Sequence, residues 1–164
     1  MQAKIGYDER VEPRIAELEL DNQICFALYD TSRAVIRAYG PVLEPLGLTY
    51  PQYLVMLVLW EAEGPLSVGE LVSALHLDTG TLTPLLKRLV QQGRAERNRD
   101  PLDERRVLIT LTQQGRDLRS RAAEVPGQVF GRCDIDADTT RILRDSLAQV
   151  MSALGQAGLT PGSR

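Results

Sequence analysis

Between Pro65 and Thr112 the chain carries start and stop signals for two short helices, followed at once by two strands, and few folds accommodate that order. Ser67-Val68-Gly69-Glu70 is a capping-box pattern that opens a short helix to about Leu75. Asp78-Thr79-Gly80-Thr81 opens a second helix through Leu82, Leu85, Leu86 and Leu89 to Gly93, a glycine placed to cap it. Pro84 is expected in the first turn, where a missing N–H costs little. Residues 94–99 and 105–111 read as strands around Asp100-Pro101-Leu102-Asp103-Glu104, a hairpin with an arginine-rich rim. Two helices joined by a short turn and followed by such a hairpin make a winged helix-turn-helix.

Helices flank this module. From Pro13 to about Ala38, Leu20, Ile24, Leu28, Val35 and Tyr39 recur at roughly helical spacing and predict an amphipathic helix, broken by Gly40-Pro41 and Pro45-Leu46-Gly47. Thr49 precedes a helix with Pro51 in its first turn, running through Leu54–Trp60 towards Gly64-Pro65. Thr112 is expected to cap a helix to about Phe130. Asp136 or Asp138 starts the last one, with an apolar stripe of Ile142, Leu143, Leu147, Val150, Met151 and Leu154. The expected class is mainly α with a small β-hairpin wing. Residues 1–12 and 156–164 are tails, 48–112 the winged module, and 13–47 with 113–155 a helical dimerisation region.

A chain of 164 residues that is 43% hydrophobic and 25% charged is an ordinary globular chain. Its net charge of −3 does not suggest a nucleic-acid binder, but the distribution does. Residues 1–30 carry a net −4, whereas residues 87–106 hold seven Lys/Arg against four Asp/Glu. Phosphates feel local charge, because salt screens beyond about 8–10 Å. The longest apolar run, Leu54–Trp60, is seven residues, far short of the ~20 that span a membrane. Two cysteines without a secretory signal point to a reducing cytoplasm. One histidine, His76, and no Cys-x-x-Cys give no metal site, and no cofactor is implied.

The second helix of a helix-turn-helix enters the major groove and presents short side chains to base edges. Here Asp78, Thr79, Gly80, Thr81 and Thr83 open that helix, and Lys87 and Arg88 follow where phosphates are in reach. A threonine run equally suits a plain capped, solvated helix, so it does not decide alone. Asp103, Arg105 and Arg106 sit at the hairpin. An arginine held at a hairpin tip can enter a narrow minor groove, and a nearby aspartate can steady its side chain.

Cys25 lies in the run Leu20-Asp21-Asn22-Gln23-Ile24-Cys25-Phe26-Ala27-Leu28-Tyr29, with tyrosines at positions 29, 39 and 50. A lone helical cysteine is most often a small buried hydrophobe. Peroxide attack needs the thiolate, and no basic residue lies between Ile24 and Tyr29. Activation would come from hydrogen-bond donors, a helix terminus or distant cations. Phenols are such donors.

Asp103-Glu104-Arg105-Arg106-Val107-Leu108-Ile109-Thr110-Leu111-Thr112 resembles the wing signature of the MarR family of regulators. Within it the chain looks most like organic hydroperoxide resistance regulators (OhrR type), through residues 20–29, Leu48-Thr49-Tyr50-Pro51-Gln52-Tyr53 and Leu77-Asp78-Thr79-Gly80-Thr81-Leu82-Thr83-Pro84-Leu85-Leu86. The likeness covers roughly residues 15–155. It implies an obligate homodimer with interleaved terminal helices, bound to double-stranded operator DNA. It also implies a reactive Cys25 that an organic hydroperoxide oxidises, with Tyr39 and Tyr50 of the partner bonding the thiol. Tyr29 and Phe26 would line the same apolar pocket. In the two-cysteine branch, Cys133 of the other subunit closes a disulfide with Cys25. Two rivals stand beside this reading: a repressor controlled by a small aromatic ligand, and a thiol peroxidase. The recognition helix and wing argue against the enzyme.

Overall fold

The computed structural model describes residues 15–103, 105–131 and 135–157, which fall into two units divided between Arg37 and Ala38. The elements in order are α1 (Ile24–Leu43), α2 (Tyr50–Glu61), β1 (Leu66–Ser67), α3 (Val68–Leu75), α4 (Thr79–Gln91), β2 (Ala95–Arg99), β3 (Val107–Leu111), α5 (Gln113–Ala122), α6 (Val125–Phe130) and α7 (Ala137–Gln156). The class is as expected: helices around a small antiparallel sheet. The strand order is β1-β3-β2, with Leu66 opposite Ile109 and Arg97 also opposite Ile109 on the other side. β1 was not anticipated, since two residues carry no alternation and pair only because β3 offers an edge.

The core of the second unit is aliphatic. Leu43, Val55, Met56, Leu71, Leu82, Leu89 and Ile109 are fully buried. α4 turns Leu82, Leu86 and Leu89 inward at helical spacing, which leaves its opposite face to solvent. Among the described residues, no single helix is long and apolar enough to cross a membrane.

Three boundaries differ from expectation. α1 starts at Ile24, not near Pro13, and two short 3₁₀ turns precede it. The Asn22 side chain donates to Ala16 O (2.9 Å) and Gln23 to Glu17 O (2.5 Å), so polar side chains hold the backbone in turns and compete with helix. α1 then continues through Gly40-Pro41 to Leu43. An interior proline costs about 3 kcal/mol, but that last turn buries Tyr39, Val42 and Leu43, each worth roughly 1.5–3 kcal/mol. Burial wins. The helix expected from Thr112 to Phe130 is two, α5 and α6, because Pro126 has no N–H to offer Ala122. Pro84 is the sixth residue of α4 and so lies past the first turn.

The caps stand at the residues the sequence points to. Ser67 and Glu70 bond reciprocally, Asp78 accepts from Thr81 N–H (2.8 Å) and Asp136 from Thr139 N–H (2.7 Å). Their partners hold all three carboxylates below the usual range: the Ser67 hydroxyl first for Glu70, the Thr81 hydroxyl for Asp78, and the Thr139 N–H for Asp136. A carboxylate with a depressed folded-state pKa stabilises above its unfolded value of about 4 and loses that contribution as pH falls through the lower one. Thermal unfolding followed from pH 7 to pH 2 should therefore steepen below about pH 4. Asp78→Asn with Asp136→Asn keeps capping oxygens but cannot titrate, so its profile should be flatter. Parallel profiles would remove these caps as the source.

Candidate nucleic-acid interface and thiol site

The turn between α3 and α4 passes through His76 at φ +52°, and Asp78 then caps α4. Thr79, Gly80, Thr81, Thr83, Lys87 and Arg88 all lie on the exposed face of α4. Asp78 is occupied structurally, accepting from both the N–H and the hydroxyl of Thr81 (2.8 and 2.6 Å). A Cβ on Gly80 would sit 3.0 Å from the same carboxylate, so glycine leaves the cap its room. Thr83 donates its hydroxyl to Thr79 O (2.7 Å). Threonine oxygens on this face keep lone pairs for an incoming donor.

The β2–β3 connection is shaped by two aspartates acting on backbone. Asp100 accepts from Leu102 N–H (2.9 Å) and Asp103 from Arg105 N–H (3.0 Å). Asp103 thus sets the loop under Arg105, where a hold on the guanidinium was expected. Arg106 reaches Glu70 on α3 (3.6 Å) and Asp100 (3.7 Å), so it ties the loop end of the hairpin to α3. The Glu70 pair, half-exposed on both sides, contributes at most about 1 kcal/mol, whereas Asp100 is buried.

Arg94 also leaves the surface field. It is buried, and its guanidinium donates to Leu46 O (2.6 Å) and Gly47 O (2.9 Å), tying the start of β2 to the chain after α1. Burial pushes its pKa down. One of the seven cations counted in the basic stretch is therefore a structural brace.

Between α4 and the hairpin runs a groove of about 650 Å³, walled by Thr79, Thr83 and Lys87 on one side and Arg97, Arg105 and Val107 on the other. Among the described residues no acidic side chain lines it. Arg97 was not singled out from the sequence, although alternation on β2 places it two residues from buried Ala95, on the same face.

Cys25 is the second residue of α1, exposed, with a free thiol. Phe26 follows it, and Tyr29 and Arg33 succeed it at four-residue steps along the helix. Arg33 donates to the Tyr29 hydroxyl (2.8 Å) and lies 5.3 Å from its ring centre. Cys25, Phe26 and Tyr29 belong to the first unit, Tyr39 and Tyr50 to the second. In the second unit Tyr39 and Tyr50 meet edge-on, ring centres 4.9 Å apart. Tyr53 (5.9 Å) and Phe130 (6.4 Å) complete the cluster around Tyr39, and neither was foreseen. Burial first, then the neighbouring phenols, raise the Tyr39 pKa, so that hydroxyl stays protonated and able to donate. Cys133 lies outside the described residues. Among those described, no group of three His, Cys, Asp or Glu could hold a metal.

Residues 37–121 match the family model described as transcriptional regulator SarA/Rot. The organic hydroperoxide resistance transcriptional regulator of Bacillus subtilis (strain 168) is 42% identical over 146 residues, 89% of this chain and 99% of that protein. The HTH-type transcriptional regulator TtmR of Methylorubrum extorquens (strain PA1) is 51% identical over 142 residues, 86% of this chain and 72% of that one. Among solved structures, reduced AbfR bound to DNA superposes with a TM-score of 0.68 at 37% identity, covering 82% of this chain and 94% of the other. That Staphylococcus epidermidis protein is also solved overoxidised on DNA and in a disulfide form. These relatives are DNA-binding regulators, not enzymes, and their likeness spans the winged module and most of its flanks. The chain belongs to the MarR-like SarA/Rot family of transcriptional regulators.

Proposed function

We propose that this regulator is a homodimeric repressor that holds operator DNA while Cys25 is reduced and releases it when an organic hydroperoxide oxidises that thiol. One observation carries the reading: an exposed, free cysteine in the first turn of α1, in a chain 42% identical to an organic hydroperoxide resistance regulator. Dimerisation is supported by α7, where Ile142, Leu143, Leu147, Val150, Met151 and Leu154 are 37–59% exposed and no residue is buried. A second copy, adding residues 13–47 and 113–155, would cover that stripe.

The chemistry follows from the thiol. The Cys25 thiolate attacks the distal oxygen of the hydroperoxide; the O–O bond breaks, the alkoxide takes a proton and leaves as alcohol, and sulfur becomes a sulfenic acid. Tyr39 and Tyr50 of the partner donate hydrogen bonds to the anion, and the paired rings keep both hydroxyls in one place. Phe26 gives an apolar approach that suits alkyl peroxides. The Cys133 thiol of the partner then attacks the sulfenic sulfur, water leaves, and a disulfide forms. AbfR, captured on DNA both reduced and overoxidised and solved separately in a disulfide form, supports a cycle in which the disulfide, rather than over-oxidation of the thiol, is the releasing state. The altered dimer no longer fits its two half-sites. Asp78 and Gly80 set the start of the recognition helix, Thr79, Thr81 and Thr83 face the major groove, and Lys87 and Arg88 meet phosphates. Arg105 enters the minor groove, with Asp103 and Arg106 fixing the wing.

The test is a gel shift on a duplex selected for binding by the reduced protein. Cumene hydroperoxide should abolish the shifted band, and a thiol reductant should restore it. A band indifferent to peroxide would return the chain to ligand-controlled repression.

A further inference from the structure

We propose that Arg94 couples the thiol pocket to the DNA-reading module, because its guanidinium ties the turn between Tyr39 and Tyr50 to the junction of α4, β2 and α5. The proposal rests on the redox reading above and adds the route by which a change at the tyrosines reaches the wing. Tyr39 stands near the C-terminal end of α1, and Tyr50 is the first residue of α2. Between them the chain makes a 3₁₀ turn, Glu44–Leu46, and leaves it through Gly47 at φ +62°. Three successive carbonyls there accept from arginines that follow α4. Pro45 O accepts from Arg121 (3.0 Å), while Leu46 O and Gly47 O accept from Arg94 (2.6 and 2.9 Å).

The Arg94 backbone is pinned where three elements meet. Its N–H donates to Leu89 O in the last turn of α4 (3.0 Å), and its carbonyl accepts from the N–H of Thr112, which caps α5 (3.1 Å). Ala95 opens β2 directly after it. A shift of the turn is therefore delivered to the recognition helix, the wing and α5 together. Hydrogen bonds and close packing of this kind carry coupling when the parts they join have discrete arrangements. Stability does not account for the residue. Its side chain is buried, and among the described residues no carboxylate pairs with it and its Nε–H has no acceptor. A buried charge without a counter-charge costs more to hold than an apolar side chain of similar volume. What Arg94 supplies instead is a fixed link to two carbonyls 47 and 48 residues away in sequence. Gly47 fits the same reading, since a Cβ there would lie 2.6 Å from Nη2 of Arg94.

The experiment measures affinity for a duplex selected by the reduced protein, before and after cumene hydroperoxide, with free thiols and disulfide counted in the same samples. Oxidation should weaken wild-type binding by a factor in the roughly 5–150-fold range of allosteric couplings, and that factor should nearly vanish in Arg94→Met. Methionine keeps the buried length but donates to no carbonyl. Reduced affinity and the rate of thiol loss should match the wild type, which a merely damaged fold would not allow. Gly47→Ala breaks the same contact from the other side and should uncouple likewise; in the double variant the two losses should not add. Circular dichroism melts confirm folding, and should Arg94→Met not melt cooperatively, Gly47→Ala carries the test. A folded, fully oxidised variant that releases DNA by the wild-type factor overturns the proposal, and so does a loss of release that only tracks slower thiol oxidation. A wild type whose Cys25 resists the peroxide, or which keeps its DNA once oxidised, fails earlier and overturns the redox reading itself.

Discussion

Cys25→Ser should stay on its duplex at organic hydroperoxide concentrations that strip the wild type completely. A hydroxyl is not ionised at neutral pH and cannot form a sulfenic acid, so the oxidation step disappears and DNA affinity in reductant should be unchanged. Cys133→Ser separates sensing from resolution. Cys25 is still oxidised, but without the second thiol the sulfenic acid stands open to further peroxide. It should drift to sulfinic and sulfonic acids that a thiol reductant does not reverse. The wild type should form a reductant-sensitive covalent dimer on a non-reducing gel, with the linked peptides containing residues 25 and 133. Replacing both Tyr39 and Tyr50 by Phe removes the proposed donors while keeping the ring contact of 4.9 Å, so oxidation should slow and the fold survive. An oxidised wild type that runs wholly as monomer, with no bond between the two cysteines in peptide maps, would end the role given to Cys133. A Cys25→Ser protein released by peroxide like the wild type would end the role given to Cys25.

What could be read from the chain alone divides by range. Capping boxes and N-caps act over three residues, so Ser67 with Glu70 and Asp78 with Thr81 announced α3 and α4 where they stand. The start of α1 was misplaced because the spacing of Leu20, Ile24 and Leu28 continues upstream, while the decisive bonds from Asn22 and Gln23 lead to carbonyls six residues back. Gly40-Pro41 reads locally as a stop; only the burial of Val42 and Leu43 shows why the helix runs on. At the site, Tyr39 and Tyr50 were singled out and do meet, but Tyr53 and Phe130 join them through packing that has no linear signature. Arg94 looked like any other cation of the basic stretch. Its burial against Leu46 and Gly47 depends on a partner 47 and 48 residues away. Arg97 was within reach, had the two-residue alternation from Ala95 been followed along β2.

Gly115→Ala should be among the most damaging single substitutions available to this fold. Gly115 is buried in the first turn of α5, and an added Cβ would lie 2.0 Å from the carbonyl oxygen of Arg94 and 3.0 Å from its carbonyl carbon. Those are backbone atoms, so no rotamer change makes room. The surroundings resist movement too. Arg94 O accepts from Thr112 N–H (3.1 Å), Thr112 donates its hydroxyl to Gly93 O (2.6 Å), and Trp60 donates its indole N–H to Gly115 O (2.9 Å). Separating α5 from the start of β2 breaks these bonds together and drags Arg94, whose guanidinium holds Leu46 and Gly47. The cost should reach or exceed the upper end of the roughly 1–3 kcal/mol typical of overpacking. For a chain of this size that is a fall of about 6–12 °C or more in Tm. Gly40→Ala is the matched control: its Cβ meets nothing within 4 Å, and in a helix alanine is favoured over glycine. Both should be melted at one protein concentration, since a dimer's Tm depends on it. A Gly115→Ala melt superimposable on the wild type would mean that α5 and β2 are not held at this distance, and that the wing base is looser than its hydrogen bonds imply.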